Sequence, residues 1–212
     1  MTDEVRDHWY WRPGWRQGRS FYTWHVVFPY APALSTLRDK YEPLLASMPE
    51  LTPVPARWLH LTLQGVGFAD KVSRAELDSL VSAARRRLRS VEPFGVTIGP
   101  AIVDVESLQL PVRPSHQVRQ VWMALRDAIT EVCGADSIPA FPDLDPHISI
   151  GYWNRPAPAA PLRERVHQFS AGSTQIYLNE VSLLDLNRDH QCYQWSSHAT
   201  IGLGHLAGGA NV

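Results

Sequence analysis

The sequence contains little cysteine, no long apolar run and almost no net charge. Its two cysteines, Cys133 and Cys192, are too few for a disulfide framework or a cysteine zinc site, so we expect a protein of the reducing cytoplasm. No apolar run approaches the roughly 20 residues needed to cross a bilayer, which excludes an integral membrane protein. The first seven residues carry three acids and no apolar segment, so we expect no secretory signal. A formal charge of −1 excludes a protein that coats nucleic acid by bulk attraction, so any chemistry on nucleic acid must be local.

Apolar and charged residues are present in the proportions of an ordinary globular protein. The chain has 212 residues, of which 44% are apolar and 19% charged, and this is enough for one domain with a sizeable core. The predicted strands cover residues 21–28, 58–68, 94–103, 107–112, 146–153, 175–186 and 193–203. The predicted helices cover residues 34–45, 73–89, 118–132 and about 162–169, the second beginning at a capping box of Ser73 and Glu76. Because the connections are short, we expect antiparallel sheets in an α+β fold.

The first 20 residues differ in composition from the rest of the chain. Residues 8–24 contain seven aromatic side chains and three arginines, Arg12, Arg16 and Arg19, but no acid. Proline and glycine interrupt this stretch, which predicts an irregular arm over residues 1–20. Residues 21–212 are then expected to form a single domain.

Two predicted strands carry the same motif, in which histidine, an apolar residue, a hydroxyl residue and a second apolar residue follow one another. They are His60-Leu-Thr62-Leu and His147-Ile-Ser149-Ile, and each is followed by glycine and then by a helical segment. This repeated His-x-Thr/Ser motif indicates an internal duplication, with one copy in each half of the fold. Since residues i and i+2 of a strand project to the same face, each histidine lies beside its own hydroxyl group.

Two imidazoles and two hydroxyl groups in one groove can cleave a phosphodiester without a metal ion. A neutral imidazole accepts a proton from the attacking water or ribose hydroxyl, and an imidazolium gives a proton to the leaving oxygen. Histidine suits both tasks because its unperturbed pKa of about 6.5 lies near neutral pH. Thr62 and Ser149 can donate hydrogen bonds to the non-bridging phosphate oxygens, where charge builds up. Either histidine alone is more simply explained as a strand residue bonded to a carbonyl group, but the matched pair favours catalysis.

The motifs resemble those of the two-histidine phosphoesterase superfamily, in particular its bacterial 2′-5′ RNA ligase-like and cyclic phosphodiesterase branch. The second motif, with its lead-in Phe141…Pro146-His147, is similar to the family pattern aromatic-x-Pro-His-x-Ser/Thr, although the lead-in is longer here. The resemblance implies a bilobal α+β fold, with two pseudo-symmetric antiparallel sheets backed by helices and an active-site groove between the lobes. Tyr152 is similar to a tyrosine of plant cyclic phosphodiesterases that would bind substrate, but it can equally be an ordinary aromatic residue of the strand.

The resemblance also implies an activity and a set of catalytic residues. The activity is metal-independent action on 2′,3′-cyclic phosphates or 2′-5′ phosphodiesters of RNA or nucleotides, as hydrolysis or ligation. The catalytic residues that it implies are His60, Thr62, His147 and Ser149. We therefore expect a monomeric cytoplasmic enzyme that needs no metal or other cofactor, acts on an RNA end or a cyclic nucleotide, and has no membrane partner.

The arm departs from the family, whose members begin close to their first strand. We interpret it as a substrate clamp, in which Trp24, at the end of the aromatic stretch, stacks on a base and Arg12, Arg16 or Arg19 binds phosphate. It can also be a cover over hydrophobic surface or a protein-docking site. From the sequence alone, His25 in the first strand can face either the core or the groove.

Two other functions are compatible with the motifs. One is a catalytically idle module that binds RNA or nucleotides in the same groove. The other is a metal hydrolase that uses both histidines together with Asp143 and Asp145, although the chain has no close His-x-x-x-His or His-x-Asp spacing.

Overall fold

The computed structural model describes residues 3–138, 143–169 and 171–204. Within these ranges the strands are β1 Glu4–Val5, β2 Phe21–Val27, β3 Leu51–Pro53, β4 His60–Phe68, β5 Phe94–Ile98, β6 Ile102–Val103, β7 Ser107–Arg113, β8 His147–Trp153, β9 Ala157–Pro158, β10 Thr174–Leu178, β11 Glu180–Asn187 and β12 Gln194–Gly202. The α-helices are α1 Pro32–Lys40, α2 Glu42–Ala46, α3 Arg74–Leu88, α4 Ser115–Cys133 and α5 Ala159–Gln168. Short 3₁₀ turns cover Ala56–Trp58 and Ala135–Ser137. No helix in the described ranges is long and apolar enough to cross a membrane.

The main sheet consists of two antiparallel halves that meet at the two motif strands. Its strands follow the order β10-β5-β7-β8-β4-β2-β11-β12, with β3 added beside β8 and β6 beside β7. One half is therefore β4-β2-β11-β12 and the other is β8-β7-β5-β10. This arrangement confirms the expected α+β, bilobal fold, and it shows in addition that the two sheets are joined edge to edge through β4 and β8.

Helices back each half of the sheet. α3 and α4 pack on one another and contact β12 and β4 respectively, whereas α1 contacts β10 and α5 contacts β6. α3 begins at the predicted capping box, where the Glu76 backbone N–H donates to Ser73 Oγ at 3.2 Å and the Ser73 backbone N–H donates to Glu76 Oε2 at 2.8 Å. α4 ends at Gly134, whose φ of +87° is a conformation that favours glycine. Each lobe is thus a sheet covered by helices.

Three predicted elements are divided in the structure. The predicted helix 34–45 forms α1 and α2, because Pro43 suits the first turn of a new helix better than a helix interior. The predicted strand 94–103 breaks at Gly99, which has a φ of +90°. The predicted strand 175–186 breaks at Asn179, where the chain passes from one half of the sheet to the other. Across the break between α1 and α2, Leu34, Leu37, Tyr41 and Leu44 keep helical spacing, so periodicity alone does not reveal that break.

Both motif strands carry a β-bulge directly after their hydroxyl residue. In β4, Thr62 and Gln64 pair with adjacent residues of β2, so Leu63 between them has no partner on that strand. In β8, Ser149 and Gly151 likewise pair with adjacent residues of β7, so Ile150, directly after Ser149, has no partner on β7. An extra residue interrupts the alternation of faces and bends the strand. The duplication predicted from the motifs therefore extends to the backbone around them.

The segment before β2 is fastened to the lobe that contains β8. β1 pairs with β9, and the His8 backbone N–H donates to the Trp153 carbonyl at 2.9 Å. The Trp9 side chain is buried in the core. Residues 6–20 contain no helix or strand, as their proline and glycine predict. The division between an arm, residues 1–20, and a domain stays a prediction.

Candidate active site

The two histidine motifs meet where the halves of the sheet join. β4 and β8 run antiparallel, and Leu61 pairs with Ile148. Both of these side chains are fully buried, so the residues on either side of them project from the opposite face of the sheet. These neighbours are His60, Thr62, His147 and Ser149. In this register each histidine stands across from the hydroxyl residue of the other motif, so the structure brings the four residues together on one face.

Both imidazole rings are held in the same way. His60 Nδ1 lies 2.8 Å from the Trp58 carbonyl oxygen, and His147 Nδ1 lies 2.9 Å from the Asp145 carbonyl oxygen. Because a carbonyl oxygen can only accept, each Nδ1 carries the proton. Nε2 of each ring is then left for the substrate, and in the neutral ring it carries a lone pair. Their surroundings differ, since His60 is 5% exposed and His147 is half-exposed.

Aromatic rings surround His60 on several sides. The His25 ring stacks on it with centroids 4.7 Å apart, and the rings of Trp195 and Tyr193 meet it edge-on at 5.4 and 5.7 Å. Burial lowers the pKa of His60 to about 4, and it outweighs the hydrogen bond to the Trp58 carbonyl, which acts to raise the pKa. His60 is therefore neutral at pH 7, with Nε2 as a proton acceptor.

His25 belongs to the site and not to the distant core. It lies across from Thr62 in the pairing of β2 with β4, so it shares the face of the motif residues. Its side chain is only 3% exposed, and its Nδ1 is buried without a hydrogen-bond partner among the described residues. Burial lowers its pKa well below the usual value. The sequence places His25 in a strand, but only the pairing with β4 identifies which face it occupies.

Tyr152 lies beside Ser149 because of the bulge in β8. In a regular strand, residues three apart point to opposite faces. The extra residue Ile150 turns Tyr152 back to the face of Ser149, since Ser149 pairs with Gln109 and Tyr152 with Ser107, two residues apart on β7. The Tyr152 side chain is 6% exposed and its ring stacks on His8 at 4.1 Å. Burial raises the pKa of Tyr152, so the phenol keeps its proton.

The N-terminal segment contributes a buried hydrogen-bond network that the sequence motifs did not reveal. His8 Nδ1 lies 3.0 Å from Glu106 Oε2, and His8 Nε2 lies 2.8 Å from the Tyr193 hydroxyl. Since a carboxylate accepts the Nδ1 proton, the neutral His8 ring accepts the Tyr193 proton at Nε2. Tyr193 in turn touches the His60 ring. Neither His8 nor Tyr193 belongs to a recognisable motif, so no signal in the sequence identifies them.

Arg12 contacts this network through an ion pair with the Glu106 carboxylate. This carboxylate also binds His8 and Arg6. Partial burial acts to raise the pKa of Glu106, but the hydrogen bond from His8 and the charge of Arg12 outweigh it and bring the pKa to about 2. The ion pair with Glu106 therefore links Arg12 to His8 through the shared carboxylate.

The structure does not bring Arg16 or Trp24 to the histidines. Arg16 is paired with Asp70 at 3.8 Å, beyond the end of β4 opposite to His60, and Arg19 binds the same carboxylate at 2.6 Å. Trp24 is 0% exposed and lies in the core, so its indole has no face for a base. Trp24 directly precedes His25 on β2, so its side chain points to the opposite face of the sheet. The assignment of Trp24 to substrate binding is therefore wrong.

The aspartates before the second motif form ion pairs. Asp143 binds Arg119 at 2.7 Å and Asp145 binds Arg113 at 3.2 Å. Within the described ranges, no three His, Cys, Asp or Glu side chains are grouped so as to hold a metal ion. Phe141, the aromatic residue of the lead-in, lies outside the described residues.

Comparisons with known proteins give a family match and several structures with the same fold. Residues 30–190 match the family model of the 2′-5′ RNA ligase superfamily. TT0787 of Thermus thermophilus is 18% identical, and the match covers 88% of this chain and 99% of that one with a TM-score of 0.62. E. coli LigT, in a complex with 3′-AMP, is 19% identical with the same coverage and the same TM-score. The ns2 PDE domain of MHV is 10% identical, with 80% and 99% coverage and a TM-score of 0.51.

At these identities the solved structures show a shared fold alone. A comparison with curated protein sequences gives no match. Several residues around His60 lie outside the part that matches the family model, among them His8, His25, Tyr193 and Trp195.

Proposed function

Because the chain belongs to the 2′-5′ RNA ligase superfamily, we propose that it is a phosphoesterase acting on 2′,3′-cyclic phosphates or 2′-5′ phosphodiesters of RNA or nucleotides. The observation that carries this proposal is the pairing of Leu61 with Ile148, which sets a histidine and a hydroxyl group from each motif on one face. A phosphate among these groups meets two proton-transfer groups and two hydrogen-bond donors, which is the set that metal-free phosphodiester cleavage requires.

The unequal burial of the two histidines supports a division of roles in hydrolysis. Neutral His60 accepts a proton at Nε2 from the attacking water, whose oxygen forms the new bond to phosphorus. His147 gives its Nε2 proton to the ribose oxygen as the bond between that oxygen and phosphorus breaks. The product is a phosphomonoester, and the two histidines return to their first states by exchanging protons with solvent. His147 suits the acid role because a half-exposed imidazolium keeps its contact with water.

The hydroxyl residues act on the non-bridging phosphate oxygens. Thr62 is exposed and free to donate, whereas Ser149 is buried beside Tyr152. The protonated phenol of Tyr152 can donate to Ser149 Oγ, which leaves the serine proton for the phosphate. Tyr152 thus acts through Ser149 and positions its proton.

Product analysis tests the function directly. The purified protein is incubated with nucleoside 2′,3′-cyclic phosphates and with 2′-5′- and 3′-5′-linked dinucleotides, with and without a chelator, and the phosphate isomers are separated. We expect opening of the cyclic phosphates or cleavage of the 2′-5′ link, unchanged by the chelator. Tight binding of 3′-nucleotides without turnover of any substrate would instead support an idle binding module.

A further inference from the structure

A basic and aromatic surface adjoins His60. Trp58 precedes His60 by two residues, and its indole meets that of Trp195 with centroids 4.7 Å apart. Trp195 also touches the His60 ring at 5.4 Å. The Arg57 guanidinium lies 5.5 Å from the centre of the Trp58 ring. We call Arg57, Trp58 and Trp195 the Arg57 surface.

The Arg57 surface is accessible. Arg57 is exposed, and both tryptophans are half-buried. The Trp195 indole lies against the His60 ring, the Trp58 indole lies against Trp195, and the Arg57 guanidinium lies beside Trp58. The surface therefore leads from the His60 ring through two indoles to a guanidinium.

Arg57 differs from the arginines of the N-terminal segment in its partners. Arg12, Arg16 and Arg19 are bound to carboxylates. Within the described part of the chain, Arg57 forms no ion pair, and its side chain contacts the Trp58 ring. Its donors are therefore available to an anion, and a guanidinium is suited to phosphate because its planar fork matches two phosphate oxygens.

Among the proposed catalytic groups only the His147 imidazolium is a cation, and it loses its charge when it gives up its proton. His60 is neutral at pH 7, and Thr62 and Ser149 are neutral donors. A nucleotide whose cyclic phosphate lies at the histidines can place its base or sugar against the indoles, and a second phosphate can then reach the arginine. Stacking on an aromatic side chain favours binding of any base, and charge-assisted hydrogen bonds are stronger than neutral ones.

We propose that the Arg57 surface is a subsite for a second phosphate of the substrate, the 5′-phosphate of the nucleotide whose 2′,3′-cyclic phosphate is attacked. This rests on the proposed function, and it narrows the substrate class from cyclic nucleotides in general to those that carry a 5′-phosphate. Such a phosphate occurs on a free nucleotide and at the end of an RNA chain, where it is the next phosphodiester.

Binding measurements test the subsite independently of turnover. Isothermal titration calorimetry compares adenosine 3′-phosphate, adenosine 3′,5′-bisphosphate and a dinucleotide with a 3′-terminal phosphate. We expect the two ligands with a second phosphate to bind about ten- to hundredfold more tightly than the monophosphate, the range of one or two charge-assisted hydrogen bonds. Stronger binding of the dinucleotide than of the bisphosphate identifies an RNA end as the source, and the reverse identifies a free nucleotide.

Variants assign the effect to Arg57. Arg57→Gln should remove most of the preference for the second phosphate and leave binding of the monophosphate within about twofold, whereas Arg57→Lys should retain part of the preference, because it keeps the charge without the fork. Arg85→Gln is the matched control, since it removes the same charge from an exposed position on α3. Thermal unfolding checks that each variant is folded.

Equal binding of all three ligands by the wild-type protein overturns the subsite, as does a preference that Arg57→Gln leaves intact. Both outcomes are independent of the proposed function, which fails only if no cyclic phosphate or 2′-5′ link is turned over. A preference for the second phosphate in a protein without turnover would support the subsite and refute the enzyme.

Discussion

Leu61 of β4 is paired with Ile148 of β8 across the junction between the two halves of the sheet. Both side chains are fully buried, so a slip of one residue in either strand would expose an apolar side chain and bury a polar one. The packing of this pair therefore sets the register in which each histidine faces the hydroxyl residue of the other motif. The core thus positions the proposed catalytic groups without itself taking part in the proposed chemistry.

Removing either motif histidine should nearly abolish activity. His60→Ala and His147→Ala are each expected to lower kcat by about 10²–10⁴-fold, because each removes a positioned proton-transfer group. The double variant should be little worse than the weaker single variant, since the two groups act as a unit. His116→Ala, at an exposed position on α4, is the control and should keep full activity. Single variants with wild-type rates would exclude the two-histidine mechanism.

The pH profile should retain activity well into acid. Only neutral His60 can accept a proton, and its pKa is lowered to about 4, so kcat/KM should fall as the pH drops through about 4 and not through the usual histidine value of about 6.5. Steady-state rates between pH 3.5 and 9 check this, with circular dichroism at each pH to separate titration from unfolding. An acid limb near 6.5 would contradict the assignment of His60 as the base.

The positions of the motifs could be predicted from the sequence because they depend on local regularity. The strand period places Thr62 beside His60 and Ser149 beside His147, and the repeat of the motif predicts two similar lobes. The α+β, bilobal fold is accordingly confirmed. The contacts of Tyr152 could not be predicted, because they depend on a bulge that the periodic pattern does not record.

The partners of the arginines could not be predicted either. Residues 8–24 contain no acid, which suggested free cations, but Glu106 and Asp70 bind their arginines from distant parts of the chain. Long-range ion pairs leave no periodic signal in one sequence. For the same reason His8 could not be distinguished from any other histidine before its contacts with Glu106 and Tyr193 were known.

Replacing His25 by phenylalanine should stabilise the protein against acid. The folded state lowers the pKa of His25, so the unfolded state binds more protons once the pH falls below about 6.5, and stability is lost in that direction. His25→Phe removes this acid-induced loss of unfolding free energy, which is up to about 1.4 kcal/mol per pH unit. The variant also removes the buried Nδ1, which has no hydrogen-bond partner among the described residues. Urea unfolding at pH 7.5, 6.5 and 5.5 should show a smaller loss of unfolding free energy for the variant. His190→Phe is the control, because it makes the same substitution at an exposed histidine. An unchanged slope would mean that His25 titrates alike in both states.

Deleting residues 1–20 should weaken both the fold and the active site. The segment buries Val5 and Trp9, and such side chains contribute roughly 1.5–3 kcal/mol each, so we expect a loss of at least about 3 kcal/mol in unfolding free energy. The deletion also removes His8, which accepts the Tyr193 hydroxyl proton and stacks on Tyr152 beside Ser149. We therefore expect kcat/KM to fall in the protein that remains folded.

The variant His8→Phe separates the effect on stability from the effect on activity, because it keeps a ring against Tyr152 but loses both hydrogen bonds of His8. We expect it to lower kcat/KM with a much smaller loss of stability than the deletion. Arg16→Ala changes only an exposed ion pair and should alter neither quantity. If the truncated protein stays folded with wild-type kinetics, the segment only covers the surface. Tyr193 then stays beside His60 without its hydrogen bond to His8.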